Sequence, residues 1–296
     1  MRICVIFNPV AKGEKARRFR RHLDLVAHES AVKQTSAPGT AATLAAEAVH
    51  EGFDVIVAAG GDGTLNEVLN GISQEPDGWD KARLGVLPFG TVNVFARELG
   101  IPLAASSAWE AIRRGREARF DLATVEFTSQ RGKETRCFAQ LAGAGLDARA
   151  IELVDWGTKK RIGPLAYVLA GMSALRHTPT KITVKTANAV LEGELVLIGN
   201  GRFYGGRFHV FPQASLRDGL LDICVFPKAN WATLVWCGPV LLATQKLPRR
   251  FVHRLQSESV TLSSSSPTPF EVDGEWVGHL PATFGIRRQK LRVIVP

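Results

Sequence analysis

The sequence predicts an α/β unit built on a parallel sheet, followed by a unit dominated by antiparallel β structure. Three observations predict it. Through about residue 98, apolar runs rich in β-branched residues alternate with amphipathic stretches, the rhythm of a parallel sheet with helices on both faces. From about residue 120, short strand-like runs follow one another with turn chemistry between most of them. A glycine loop, Gly60-Gly61-Asp62-Gly63-Thr64, joins a strand to a helix inside the first unit.

Residues 2–7 read as a strand that ends at Asn8-Pro9. Residues 14–28 read as a helix, with Phe19, Leu23, Val26 and Ala27 inward and Arg17, Arg18, Arg20 and Arg21 mostly outward. Residues 40–51 form a second helical pattern with Leu44, Ala45, Ala48 and Val49 on one stripe. The run 53–59 is a buried strand leading into the glycine loop and its helix. Residues 84–87 are another short strand, followed by Pro88-Phe89-Gly90-Thr91-Val92-Asn93 and a helix to about Glu98. Ligands of such sheets sit beyond the carboxyl ends of the strands, so the loops at Asn8, Gly60 and Gly90-Thr91 converge on one site. In the second unit, strands are expected at 123–127, 136–142, 181–185, 194–198, 220–226, 259–262 and 284–295, with one helix at 164–175.

The glycine loop carries the chemistry. Its glycines let the backbone approach a ligand without Cβ clashes, and the following helix offers unpaired N–H groups to an anion. Asp62 inside a phosphate cradle would repel phosphate unless a metal ion lay between, so the loop points to a nucleotide with Mg²⁺. No G-x-x-x-x-G-K-[ST] string occurs, which excludes a P-loop. The string Gly143-Ala144-Gly145-Leu146-Asp147-Ala148 matches a dinucleotide fingerprint, but no βαβ unit follows it, and tight strand–helix packing is the better reading.

With 296 residues, 45% of them apolar, the chain can build two cores. No stretch approaches the roughly 20 apolar residues needed to span a bilayer. The first residues enter a strand directly, and Cys4, Cys137, Cys224 and Cys237 sit in apolar runs without a C-x-x-C pair; a cytoplasmic protein without disulfides is expected. The histidines show no metal-ligand spacing. The net charge of +9 suits nucleic acid or an anionic membrane. The basic residues lack an aromatic RNA-binding strand or a recognition helix, so no nucleic acid is expected.

The glycine loop, Pro88-x-Gly90-Thr91-x-Asn93, Asn200-Gly201-Arg202-Phe203-Tyr204-Gly205-Gly206 with Pro212 and Asp218-Gly219-Leu220-Leu221-Asp222, and Val272-Asp273-Gly274-Glu275 occur in order along nearly the whole chain. Together they resemble the bacterial diacylglycerol-kinase-like lipid kinases, related to sphingosine and ceramide kinases. The resemblance implies a doubly wound nucleotide domain like that of NAD kinase and phosphofructokinase over residues 1–122. It implies an antiparallel β-sandwich over 123–279, residues 280–296 returning to the first domain, and the active site in the cleft between the two.

It also implies ATP as co-substrate, Mg²⁺, and a lipid hydroxyl such as that of diacylglycerol as acceptor. Asn8, Thr35, Gly61, Asp62, Gly63, Thr64, Leu65, Asn66, Glu67, Gly90 and Thr91 would surround the nucleotide, and Lys12 could add a phosphate contact. Ser215, Asp218 and Leu220 would hold a structural Mg²⁺ through hard oxygen ligands. Glu275 would be the general base that takes the proton of the lipid hydroxyl, with Asp62 and Asp121 in the acidic network of the catalytic metal. From its residues alone, Asp273-Gly274 is a type I′ hairpin turn. The family's Gly-Thr-x-Asn-Asp ends here in Val94 in place of the acid, which keeps open a nucleotide-binding regulator or pseudokinase beside a soluble kinase related to NAD kinase.

The apolar segment 231–242 carries Trp231 and Trp236 and is followed by Arg249-Arg250. Packing against a sheet is the common fate of such a helix. Peripheral contact with an anionic membrane at the inner face, supported by Lys159-Lys160-Arg161, is the other.

Overall fold

A computed structural model describes residues 1–9, 26, 28–146, 148, 149, 179–206 and 208–296. Most of the helix expected at 14–28, all of that at 164–175, Lys12 and the basic run 159–161 lie outside the described residues.

The chain begins with the buried strand β1 (Ile3–Phe7). It pairs in parallel with the edge strand β2 (Ala31–Gln34) on one side and β3 (Val55–Gly60) on the other. β4 (Arg83–Pro88) continues the parallel set beside β3. Every residue of β1 and β3 is buried, as expected where helices cover both faces. Helix α1 (Thr40–His50) turns Ala41, Ala45, Ala48 and Val49 inward, one apolar stripe at helical spacing. Helix α2 (Asp62–Gln74) packs beside α1 and buries Leu65, Val68, Leu69 and Ile72. Three shorter helices follow: α3 (Gly78–Lys81), α4 (Val94–Glu98) and α5 (Ala105–Arg114).

Two long strands carry this sheet into the second half of the chain. β5 (Arg116–Ser129) pairs antiparallel with β6 (Gly132–Phe138) and, over almost its full length, with β18 (Ala282–Val295). β18 in turn lies parallel to β4 at Val293 and Leu84. Beyond β18 come β15 (Ser259–Ser264), β8 (Ile182–Lys185) and β9 (Val190–Gly193), completing a ten-stranded sheet. The residue 122/123 junction therefore falls inside one strand, and the C-terminal strand runs along both halves.

A second, antiparallel sheet has the order β14 (His253–Ser257), β13 (Leu221–Phe226), β10 (Leu195–Gly199), β7 (Leu141–Gly145), β16 (Pro269–Val272), β17 (Glu275–His279). Val125, Phe127 and Phe284 of the first sheet share a core with Ala144, Ile198, Ile223 and Phe270 of the second. This is the antiparallel sandwich. The run expected as one strand at 136–142 is in fact two, because the chain leaves the first sheet after Phe138 and enters the second at Leu141. Gly143 and Gly145 lie within β7, so the G-x-G string opens no dinucleotide site. A Cβ on Gly145 would meet the Glu194 carbonyl at 2.5 Å, and the close packing is strand on strand, not strand on helix.

A small hairpin, β11 (Phe203–Tyr204) with β12 (Phe208–His209), and helix α6 (Trp231–Thr244) close the outer face of the second sheet. α6 buries Cys237 and rests Leu241 on a small core with Phe211 and Phe226. It leaves Trp231, Val235, Trp236 and Val240 exposed, so sheet packing accounts for only one side of it.

Candidate active site

The carboxyl ends of β1 to β4 bring the expected nucleotide loops together. β3 ends at Gly60, whose carbonyl accepts hydrogen bonds from the N–H groups of Phe89 (2.8 Å) and Gly90 (3.1 Å). The two loops touch backbone to backbone: a Cβ on Gly90 would stand 2.5 Å from Gly61 Cα. Asn93, at φ 52, closes the second loop on itself, accepting from Gly90 N (2.9 Å) and donating to Gly90 O (2.7 Å). Asn8 Nδ2 donates to Thr64 Oγ1 at 3.0 Å, and Thr35 N donates to Phe7 O at 2.9 Å. Thr91 is exposed at the rim.

Gly61 precedes α2 in extended backbone and gives no side-chain cap. The first-turn N–H groups of this helix therefore point at the loop opening, a ready anion site. Leu65 buries its side chain, so its part there is limited to the backbone. Asp62, the first residue of α2, does not point into the cradle alone. Its Oδ1 accepts from Val94 N at 2.7 Å, with Phe95 and Asn93 N–H groups also favouring the ionised form. It thus caps α4 from another element. Burial, and then the charge of Asp273, push its pKa up.

Two of the expected nucleotide residues hold the scaffold. Glu67 accepts from Gly39 N (2.9 Å) and Ala41 N (3.0 Å), capping α1 from α2. Asn66 is buried and donates to Asp273 Oδ2 at 2.8 Å, 207 positions away.

The second sheet delivers the remaining acid. Asp273 (φ 48) and Gly274 (φ 85) form the two-residue turn between β16 and β17, both in the left-handed region as a type I′ turn demands. Glu275 follows at once. Its Oε1 lies 2.9 Å from the point where a Cβ on Gly63 would sit, so the expected base and the glycine loop face each other across the cleft. Loss of solvent around the half-buried Asp273 carboxylate raises its pKa against the pull of the donors around it.

Asp121 sits elsewhere in this arrangement. Its Oδ2 accepts from Gly219 N (2.7 Å) and its Oδ1 from Gln289 N (2.8 Å). Asn200 Nδ2 donates to its carbonyl at 3.2 Å. Oδ2 thus anchors the turn that carries Asp218, while Oδ1 holds β18 at Gln289. In that turn Leu220 N donates to Asp218 Oδ1 at 3.0 Å, and Ser215 is exposed beside it. Asp222 lies close enough that the Asp218 charge helps burial raise its pKa. Among the described residues no group of three or more His, Cys, Asp or Glu is set to hold a metal ion.

Glu98 escaped sequence reasoning, and the sequence marks Asp273 only as a turn residue of its motif, not as an acceptor for distant donors. Glu98 accepts from Gln140 Nε2 (2.9 Å), Arg202 N (2.9 Å), Arg202 Nε (2.7 Å) and Phe203 N (3.3 Å), joining α4 to the β11–β12 hairpin and to Gln140 between the two sheets. Only the motif around Arg202 hinted at a fixed partner there.

A strand–glycine loop–helix start, faced by a carboxylate from a second sheet, defines a kinase-class phosphotransferase built in two parts. Comparison with known proteins says which. Residues 2–125 match the diacylglycerol kinase catalytic domain, and residues 140–295 match the YegS C-terminal NAD kinase beta sandwich-like domain. A diacylglycerol kinase of Staphylococcus saprophyticus is 32% identical over 99% of this chain and 94% of its own length. One from Staphylococcus carnosus is 31% identical with the same coverage. The crystal structure of a diacylglycerol kinase from Bacillus anthracis shares the fold at a TM-score of 0.71 and 20% identity, covering 100% of this chain and 97% of that one. The chain belongs to the diacylglycerol kinase family and is an ATP-dependent lipid kinase. The regulator and NAD-kinase-like readings are not favoured.

Proposed function

We propose that this chain transfers the γ-phosphate of ATP to the hydroxyl of a diacylglycerol, with Glu275 as general base. The observation that carries this is the Glu275 carboxylate against Gly63. Phosphates held at the first turn of α2 would lie beside a carboxylate able to accept the acceptor's proton as the new P–O bond forms. Gly61 to Thr64 present N–H groups to the phosphates. Asn8 fixes the Thr64 hydroxyl, and Thr35, Gly90 and Thr91 border the same opening. Asn66 and Glu67 serve the site by holding Asp273 and α1 in place.

Mg²⁺ belongs to the same reading. The Asp218 turn, with the carbonyls of Ser215 and Leu220 and the neighbouring Asp222, is a hard-oxygen donor set. Asp62, half-buried and pressed by the Asp273 charge, is the carboxylate near the loop that a cation would stabilise. When bound, the ion supplies positive charge that neutralises the phosphoryl oxygens. Asp121 acts by holding the Asp218 turn.

Peripheral contact with an anionic membrane is the remaining part of this reading. It is supported by the exposed tryptophans of α6 and by the net charge of +9. No helix among the described residues is long and apolar enough to cross a membrane.

Transfer of labelled γ-phosphate from ATP into diacylglycerol vesicles, with Mg²⁺, tests the proposal. The parent should label the lipid, and Glu275→Ala should lose roughly 10²- to 10⁴-fold in rate, the contribution of a positioned base. Parent protein that labels no lipid, or a Glu275→Ala variant as fast as the parent, would refute it.

A further inference from the structure

Asp273 collects four donors from two distant segments. Its Oδ2 accepts from Ala139 N (2.8 Å) and Asn66 Nδ2 (2.8 Å), and its Oδ1 from Gln140 N (2.9 Å) and Leu141 N (3.1 Å). Its own N–H donates to Leu141 O at 2.8 Å. Residues 139–141 are the seam where the chain passes from the first sheet to the second. Asn66 lies three residues beyond Gly63 on α2, and residues so spaced share a helix face. Asp273 and Glu275 therefore grip one face of α2, the first through Asn66 and the second beside Gly63.

A carboxylate suits this site for a reason beyond the turn. An Asp-Gly or Asn-Gly pair forms a type I′ turn without any side-chain acceptor. Four converging donors, however, require an acceptor-only group; an amide would turn its NH₂ toward two of them. Those bonds offset part of the desolvation of the carboxylate, and what they fix is the position of the residue two places on.

We propose that Asp273 is a positioning residue for phosphoryl transfer: it locks its turn onto Asn66 and the 139–141 seam, and so holds the Glu275 carboxylate at Gly63. The proposal rests on the reading of Glu275 as general base.

The test is a double-mutant cycle on the full chain, with kcat, the KM for ATP and thermal unfolding read for each variant. Asn tolerates the left-handed backbone at 273 as well as Asp does, so Asp273→Asn changes the acceptor and spares the turn. It should lower kcat by roughly 10²-fold, the scale of a small misplacement of a reacting group, with the KM for ATP within about threefold of the parent. In a Glu275→Gln background the same substitution should cost little more, because both changes remove one function. Equal cost in both backgrounds, or a parent-like kcat for Asp273→Asn beside an inactive Glu275→Gln, would overturn the positioning role and leave the base standing. A fully active Glu275→Gln would remove the base itself, and this proposal with it. Should Asp273→Asn fail to fold, Asn66→Ala takes its place, since it deletes one of the four donors. It should slow kcat in the parent but not further in Glu275→Gln; equal slowing in both would again overturn the role.

Discussion

Gly63 and Gly90 are glycines for different physical reasons, and the difference can be measured. A Cβ at Gly90 would press on Gly61 Cα at 2.5 Å, backbone that cannot move aside. A Cβ at Gly63 would press on the Glu275 Oε1 at 2.9 Å, the far end of a side chain that can swing away. Gly90→Ala is therefore expected to lower both the unfolding temperature and ATP affinity. Gly63→Ala should keep or slightly raise stability, since Ala exceeds Gly in a helix by about 1 kcal/mol, while turnover falls as the carboxylate is displaced. Thermal melts set beside kcat separate the two; equal losses of stability would contradict the assignment. Glu67 makes a similar point. Its carboxylate caps α1 through Gly39 and Ala41, so Glu67→Ala should cost roughly 0.5–2 kcal/mol in denaturant unfolding. Unchanged stability would return Glu67 to the nucleotide.

The β5–β18 ladder is the element that makes the two halves one body, and a charged pair guards its end. Arg292 on β18 grips both carboxylate oxygens of Glu117 on β5, at 2.8 and 2.7 Å, and donates to the carbonyls of Trp79 and Asp80. The Arg292 hydrogen bond holds the Glu117 pKa below its ordinary value of 4.5. A lowered folded pKa means stability that is present above pH 4.5 and lost as pH falls through the folded value. Glu117→Gln should therefore cost on the order of 1 kcal/mol at neutral pH and flatten the acid limb of the stability curve. A variant with the parent's acid limb would show that the pair contributes nothing.

The same elements show what the sequence made legible. β1, β3 and β4 were readable because burial on both sides makes each an unbroken apolar run. β2, half exposed at the sheet edge, and α5, which buries only Ala108 and Ile112, offered too short a pattern. The glycine loop and the turn at Asp273 were legible because backbone geometry restricts residue type locally. The roles of Glu67, Glu98 and Asp273 were not, since their partners lie 26 to 207 positions away and no local spacing encodes them.

At the scale of the whole molecule, the question is how a lipid kinase reaches the hydroxyl of its acceptor. On α6, Cys237 is buried and Leu241 packs on the small core with Phe211 and Phe226. Trp231, Val235, Trp236 and Val240 are 46%, 64%, 64% and 37% exposed on the other side. Two tryptophans on this exposed apolar face suit a lipid interface, where tryptophan rings sit at headgroup depth. Each large side chain so buried is worth about 1.5–3 kcal/mol, and the positive net charge adds attraction that salt weakens. Val235→Asp together with Trp236→Asp should therefore abolish binding to vesicles of anionic phospholipid and diacylglycerol in a flotation assay. Because those two side chains are exposed, the fold should melt as the parent does. Turnover on the vesicles should fall at least about tenfold, while turnover on a short-chain diacylglycerol dispersed as monomers stays near that of the parent, since the cleft at Gly63 and Glu275 is untouched. Loss of activity on both substrates would place the two residues in the catalytic fold instead of at the lipid surface. Undiminished vesicle binding would assign docking to another face of the protein.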